Sequence, residues 1–583
     1  MSLKLPYPRY SGGHSKLTQI KFGGYDHTVS CSEGGIYDMG NLTADNYPVL
    51  SARKKRLLLS KKGGVSFGHL AYDGIFIEAR SEKGISNPIL EVTMMNGEVK
   101  PNNEEFDFLL FGRGKRYFAF HGDYIIVMPD KRYLSIKELL NENVVQLHNM
   151  EKYICVKNIT ICDGTYGGMP AKANTIILGE KTNDNYGFGV NFGANAKFRV
   201  GDAVRISGCE TIPGNNKTAI IREIDGKKLI FLENTFTIPE GQTEYTESGI
   251  GESRVVTGEM TEAKGPTVVC GVPDMDYICV QDNRLWGCKG DTIYASRLGD
   301  PLNFYNYEGT GGAWSLDVMS EGDFTGCTSY LGYVIFFKED AIHKIYGDRP
   351  SNFGLSTSAA IGVKNGSGGS IAQAGQVLFY HSRAGIMAYS GGVPQNISDA
   401  FGTQSFKEAV GGSDGVKYYV SMKDVSTDKT SLFVYDTRSN LWTREDGLDA
   451  ASIVFDNRLY IATKDRALYA LSEPLAEESD KYEADFDFFA EFGDFYNSSP
   501  NKKAPLRITA RIELDEGATV KFLIKYDSEG DYKLLKEINA VGKRSYNIPM
   551  RLRRCDHYRL KIEGVGGFKL YSLAREGYTG SEK

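Results

Sequence analysis

Residues 280–296, VQDNRLWGCKGDTIYAS, constrain the fold of this chain more than any other stretch. Apolar residues alternate toward Leu285 and Trp286, the chain turns at Lys289-Gly290-Asp291, and alternation resumes through Ile293 and Tyr294. Period-two apolarity on both sides of a short glycine turn predicts a β-hairpin, because successive side chains of a strand face opposite sides of the sheet. The hairpin recurs. Asp456-Asn457-Arg458-Leu459-Tyr460 repeats Asp282-Asn283-Arg284-Leu285-Trp286, and Lys464-Asp465-Arg466 takes the turn before Leu468-Tyr469-Ala470-Leu471. Looser copies are VIFFKEDAIHKIYG (334–347) and QVLFYHSRAGIMAYSGG (376–392).

The aromatic residue on the second strand of each hairpin gives the series Tyr294, Tyr346, Tyr389, Tyr435 and Tyr469, with gaps of 52, 43, 46 and 34 residues. These gaps centre on the roughly 40–50 residues of a four-stranded propeller blade, which needs neighbours to bury its faces. Two further hairpin sets precede them, in HLAYDGIFIEA (69–79) with LEVTMMNGEV (90–99), and in RYFAFHGDYIIVMPDKRYL (116–134). The count is about seven blades, with six to eight open. The fold class expected is therefore all-β, a β-propeller carrying an inserted small β-barrel and a C-terminal β-sandwich of jelly-roll type.

The domain reading follows the chain. Residues 1–150 are a lead-in and the first blades, with a helix-like window at 135–150 (SIKELLNENVVQLHNM). Residues 151–265 are the inserted barrel, with strands such as VGDAVRISG (200–208) and a glycine-rich exposed loop at 187–202. Residues 266–477 are the remaining blades, and 478–583 form the sandwich, introduced by an acidic, aromatic linker.

At 583 residues the chain is too long for one ordinary domain, and its glycines and aromatic residues suit a turn-rich β protein. No stretch of 18 apolar residues exists, so no membrane span is expected, and the N-terminus has no apolar core of a secretory signal. Nine scattered cysteines argue against a disulfide framework and for synthesis in a reducing cytosol. The net charge of −6 disfavours a protein whose main work is wrapping nucleic acid, yet suits an acidic wall past which DNA slides.

The densest basic cluster is Arg53-Lys54-Lys55-Arg56, followed by Lys61 and Lys62. It is the candidate contact for a phosphate or acidic partner, against the plainer alternative of a solvated surface segment. No phosphate-loop or H-E-x-x-H motif occurs, and GFGVNFG (187–193) lacks the context of a dinucleotide site. Cys270, Cys279 and Cys288 recur every nine residues, too far apart for paired zinc ligands, and read as small buried side chains. Asp485, Asp487, Glu491 and Asp494 could supply oxygens to calcium or form a plain acidic linker. Asp282, Asp291 and Asp340 could supply paired carboxylates for glycoside cleavage, but they fall at turns, where aspartate caps the backbone. Tyr558, Phe568 and Tyr571 could form a carbohydrate platform or pack the sandwich. No catalytic residue, cofactor or metal is assigned, and the chain is expected not to be an enzyme.

GGIYDMGNL…YPVLSARKKR near the N-terminus, DNRLWGCKGDTIYASRLGDPLNF (282–304) and the terminal RRCDHYRLKIEG resemble virion proteins of tailed bacteriophages. The comparison is with β-propeller tail-nozzle, tail-hub or "stabilisation" proteins, over residues 34–56, 266–475 and, loosely, the sandwich. That resemblance implies a structural role in the virion tail of a phage assembled in the host cytoplasm. It implies a homo-oligomeric, commonly hexameric ring, docked to portal, adaptor or other tail proteins, that retains and then releases double-stranded DNA. The alternatives are a propeller that binds or degrades host-surface polysaccharide, and a cellular scaffold of kelch type. For the last, YDTRSNLW (435–442) is a single copy of the expected signature.

Overall fold

A computed structural model describes residues 13–62, 64–81, 89–94, 100, 114–141, 145–155, 158–178, 181–182, 185–186, 198–248, 266–471, 482–496, 501–550 and 553–579. Residues 95–99 of the expected LEVTMMNGEV stretch, most of the 187–202 loop and the 472–481 junction lie outside these residues. The described chain is almost entirely β and divides into two compact units, residues 67–362 and residues 1–66 with 363–583. No helix among the described residues is long and apolar enough to cross a membrane.

In the 67–362 unit, four sheets of the propeller-blade kind follow one another. Strands Val65–Tyr72, Ile75–Ser81 and Ile89–Met94 make the first; strands between Tyr117 and Asn149 make the second. The third holds Tyr277–Gln281, Arg284–Lys289, Thr292–Ala295 and Trp314–Asp317, and the fourth runs from Gly326–Tyr330 to Gly354–Ser358. Asp282 and Asn283 link the first pair of strands of the third sheet with φ of +50° and +56°. Two successive positive φ values define the tight turn whose twist matches paired strands, and Asp and Asn tolerate it best.

The rest of the DNRLW…GDP-x-N-F segment closes that hairpin onto the loop behind it. Arg284, 1% exposed, donates through Nη1 to Ser296 O and Gly312 O, both at 2.6 Å. Ser296 Oγ accepts from Leu285 N at 2.9 Å, and buried Asn303 accepts from Asn306 N at 3.0 Å. Trp286 packs edge-on against Trp314 and Phe353. The most specific motif of the sequence is thus framework.

The inserted segment forms two larger sheets and a short two-stranded one, Lys181–Thr182 with Asn185–Tyr186, among the described residues. Of the larger two, one contains Lys152–Cys155, Thr267–Cys270, Ala203–Ser207 and Thr218–Ile220; the other is built on Asn158–Tyr166 and Met169–Leu178. Strand Thr267–Cys270 belongs to the insertion, so the boundary expected at 265 moves to beyond 270. Its core of Ile159, Ile161, Ile176, Val204, Ile206 and Val268 also takes in Tyr305 from the third sheet's loop. The helix expected over 135–150 is confined to Ile136–Asn141, because His148–Asn149 leaves to pair with Arg132–Tyr133.

In the other unit, three more four-stranded sheets follow, over residues 372–396, 406–444 and 450–471. The last is completed by an N-terminal strand, Leu57–Lys61, paired with Ala467–Leu471. All five marker tyrosines fall on the third strand of successive sheets, at Tyr294, Tyr346, Tyr389, Tyr435 and Tyr469. The repeat was legible because each sheet reuses the same hairpin.

The β-sandwich faces two sheets together. Strands Leu42–Thr43, Leu50–Ala52, Phe568–Thr579, Lys503–Leu514 and Gly542–Pro549 form one, with Gly13–Gln19 alongside Phe568–Thr579. Ile36–Gly40, Asp487–Phe492, Tyr558–Val565, Thr519–Tyr526 and Lys533–Ile538 form the other. Alternate residues Ile508, Ala510 and Ile512 meet Val520, Phe522 and Ile524 in one apolar core, as period-two strands require. Residues 13–52 therefore belong to the sandwich and 57–61 to a blade-type sheet. The expectation of 1–150 as a lead-in with first blades is corrected accordingly: short strands at the two ends of the chain need each other's edges.

Candidate functional site

The basic cluster is split by burial. Arg53 and Arg56 are 7% and 2% exposed, whereas Lys54 and Lys55 stand in solvent. Arg56 donates from Nη1 to Asp446 Oδ2 at 2.6 Å and from Nη2 to Glu445. Its backbone N–H donates to Glu483 Oε1 at 2.7 Å. Arg53 pairs with Glu483 and reaches Asp446 Oδ2 at 3.3 Å, with its guanidinium 3.9 Å from the Phe486 ring centre. Lys55 pairs with Asp485 at 2.7 Å. The expectation of a solvated segment therefore fails for the two arginines. Burial alone would raise the Asp446 carboxyl, but the charge and hydrogen bonds of Arg56, with Arg53 behind, hold it below the ordinary range.

This network floors a cavity of about 210 Å3 whose walls include Asp45, Asp414, Lys417 and Tyr419. Three carboxylates face it, the residue type that glycoside cleavage needs, yet each is committed. Asp45 pairs with Lys417, and Glu445 with Arg56. Asp414 Oδ1 accepts from Val416 N and Lys417 N, and Asp414 Oδ2 accepts from Tyr419 at 3.1 Å. With its charges matched, the cavity the sequence pointed to is a structural lock.

A second cavity in the same unit, of about 290 Å3, is different. It opens beside the hairpin of Val377–Ser382 and Gly385–Tyr389 and the segment 396–406. Gly385 and Gly402 sit on its wall at φ of +112° and +61°, and a side chain at Gly385 would strike Ser398 Oγ. His381, 3% exposed, bonds through Nδ1 to Ser367 Oγ at 2.9 Å. Burial, with the charge of Lys364 second, pulls its pKa down to about 4, so the imidazole is neutral at pH 7. Lys364 Nζ donates to Phe406 O at 2.9 Å, and Tyr25 donates to Gln404 Oε1 at 2.8 Å. That leaves the Gln404 amide N–H groups, two protons of Lys364 and His381 Nε2 for something else. Asp399 is exposed at the rim. No sequence signal marked this pocket, because its residues come from ordinary strand positions and from turns where Asn, Ser, Asp and Gly are common.

Several of the other candidates are taken up by the fold. Asp282 sits in the tight turn, and Glu491 and Asp494 both bind Arg559. Among the described residues no group of three or more His, Cys, Asp and Glu side chains could hold a metal ion. Cys270 lies in the core of the insertion, while Cys279 and Cys288 lie on the paired strands Tyr277–Gln281 and Arg284–Lys289 beside Cys327. Tyr558 and Phe568 are buried in the sandwich core.

No family model matches the chain, and no curated protein does. Among solved structures it is similar to an exo-β-1,3-galactanase from Phanerochaete chrysosporium, at 9% identity and a TM-score of 0.22, covering 51% of this chain and 94% of that one. A glycoside hydrolase family 43 arabinoxylan arabinofuranohydrolase from Bacillus subtilis gives 11% identity, a TM-score of 0.17 and coverage of 89% and 96%. A GH32 β-fructofuranosidase from Bombyx mori gives 9%, 0.14, 53% and 92%. Likenesses this distant transfer no site or substrate. The expectation that the chain is not an enzyme is nevertheless corrected here, since these neighbours are themselves enzymes, and it is dropped.

Proposed function

We propose that this protein engages polysaccharide, as a saccharide-binding or saccharide-degrading propeller, and that the cavity beside His381 takes one sugar unit. The observation that carries the reading is the uncommitted polar lining of that cavity. Small-molecule pockets are mostly apolar with a few polar groups. Here Lys364, His381, Gln404 and Asp399 surround a space of about 290 Å3 and keep hydrogen-bonding capacity unused by the fold. A ligand rich in hydroxyl groups satisfies such a wall, and unmet buried donors and acceptors are costly. Asp399, as a carboxylate, accepts hydroxyl protons in charge-assisted bonds.

Binding of a panel of neutral and acidic polysaccharides by calorimetry, with reducing-end release measured in parallel, tests this. Asp399→Ala is expected to weaken binding about tenfold, about 1.4 kcal/mol, without moving the melting temperature, because the side chain is exposed. No binding to any member of the panel, or binding indifferent to this change, counts against the reading.

A second reading, the structural tail component, draws support from one observation. The residues that carry the phage resemblance serve as framework: Arg284 and Asn303 close a hairpin, and Arg53 and Arg56 lock a linker. Sedimentation tests it, with a ring of about six copies expected from that resemblance and a monomer at high concentration excluding it.

A further inference from the structure

The cavity beside His381 has a charge imbalance that the neighbouring one lacks. Around the 210 Å3 cavity, Arg53, Arg56 and Lys417 are each paired with Glu483, Glu445, Asp446 or Asp45. Lys364 is half-buried, and no carboxylate of the described residues pairs with it; its ammonium donates to the carbonyl of Phe406. Asp399 is the single carboxylate among the residues of the cavity wall. The influence of Lys364 reaches His381, whose protonation it opposes. A cation partly withdrawn from water and left without a counter-ion attracts an anionic group of a ligand, more strongly than it would in bulk solvent.

We infer that the sugar unit taken by this cavity is acidic, a hexuronate whose carboxylate lies on Lys364 while its ring hydroxyls meet Asp399 and Gln404. This rests on the saccharide reading above and names the class of saccharide. A neutral sugar would leave the Lys364 ammonium without its charge partner. A bare anion such as phosphate would leave Asp399 and Gln404 without partners, and would sit near a carboxylate at no gain. A ring carrying one carboxylate and several hydroxyls answers both ends of the pocket. Capsular and extracellular polysaccharides built on uronic acids are the chemical class that presents such units in series.

The test is calorimetric binding of the full-length chain to short oligogalacturonates, to the same oligomers as methyl esters, to neutral malto-oligosaccharides and to dextran sulfate. The acid is expected to bind about tenfold or more tightly than its ester, and the preference to shrink as salt is raised. Lys364→Gln should bring acid and ester to equal affinity, and Lys364→Arg should keep the preference. Equal binding of acid and ester by the unaltered protein overturns the inference while leaving the saccharide reading intact. So does a preference untouched by Lys364→Gln in a protein whose melting temperature has not moved. Tighter binding of dextran sulfate than of the uronate also overturns it, because it would mark a site for charge alone. Failure to bind any of the sugars removes the saccharide reading itself. Should Lys364→Gln prove unstable, loss of the acid preference at raised salt, together with its retention in Lys364→Arg, decides the question.

Discussion

Arg56→Ala is expected to destabilise the sandwich-bearing unit by about 3–5 kcal/mol, the range for removing one partner from a buried ion-pair network. Arg56 is 2% exposed and Glu445 8%, so the charge left behind is only weakly screened by solvent. The substitution strands Glu445 and part of Asp446 beside Glu483, leaving Arg53 as the sole nearby arginine against three carboxylates. Burial lowers the tendency of Arg56 to hold its proton, but Glu445 and Asp446 more than reverse that, so the group is charged at any working pH. Arg56→Lys is expected to recover only part of the loss, because one ammonium cannot reach both carboxylates as a fork does. Chemical unfolding followed by tryptophan fluorescence reads the effect, since Trp442 belongs to the same apolar core as the sandwich. A change below 1 kcal/mol would show that the network is not the lock described.

Mild acid is expected to weaken both units. His381 and His343 each have a pKa pulled down to about 4 by burial, helped by Lys364 and Lys338 respectively. Both rings are held by hydroxyls that bond the neutral form equally well: Ser367 for His381, and Ser320 and Thr357 for His343. In the unfolded chain these histidines take up a proton near pH 6.5, whereas the folded protein resists until about pH 4. The unfolded state therefore binds more protons between those values. Stability is full above pH 6.5 and falls as pH drops toward 4, by about 3 kcal/mol for each histidine. Carboxylates held low by their partners, such as Asp446, contribute their own loss only at lower pH. The interval between pH 6.5 and 5 thus belongs mainly to the histidines. Melting temperatures across that interval check the slope, and His343→Asn and His381→Asn should each remove a share of it. A flat profile would mean that the rings are protonated in place.

Much of the architecture could be read from the sequence because it is repeated. The hairpin at 284–295 returns at 458–471 with the same Asn-Arg-Leu-aromatic start, and the marker tyrosines keep their place on the third strand. What escaped was pairing between distant parts of the chain. Nothing local in Leu57-Leu58-Leu59 says that this strand pairs with Ala467–Leu471, nor in Ile36–Gly40 that its partner is Asp487–Phe492. Strand pattern reveals which face is buried but not whose edge is free. The candidate site shows the same limit. Arg53 and Arg56 stand out as charges in sequence, yet their partners lie about 390–430 residues away and turn a surface signal into a buried one. The wall of the cavity beside His381 is drawn from three hairpin strands and the 396–406 segment, so its shape and the lysine it holds become visible only in three dimensions.

The most direct measurement is hydrogen–deuterium exchange of the full-length protein with and without a saturating oligogalacturonate. Ligand in the cavity predicts slowed exchange confined to residues 381–386 and 396–406, which form its wall, with the 41–56 and 414–419 segments of the locked cavity unchanged. Protection appearing at the locked cavity, on the sandwich strands or nowhere at all would contradict the account.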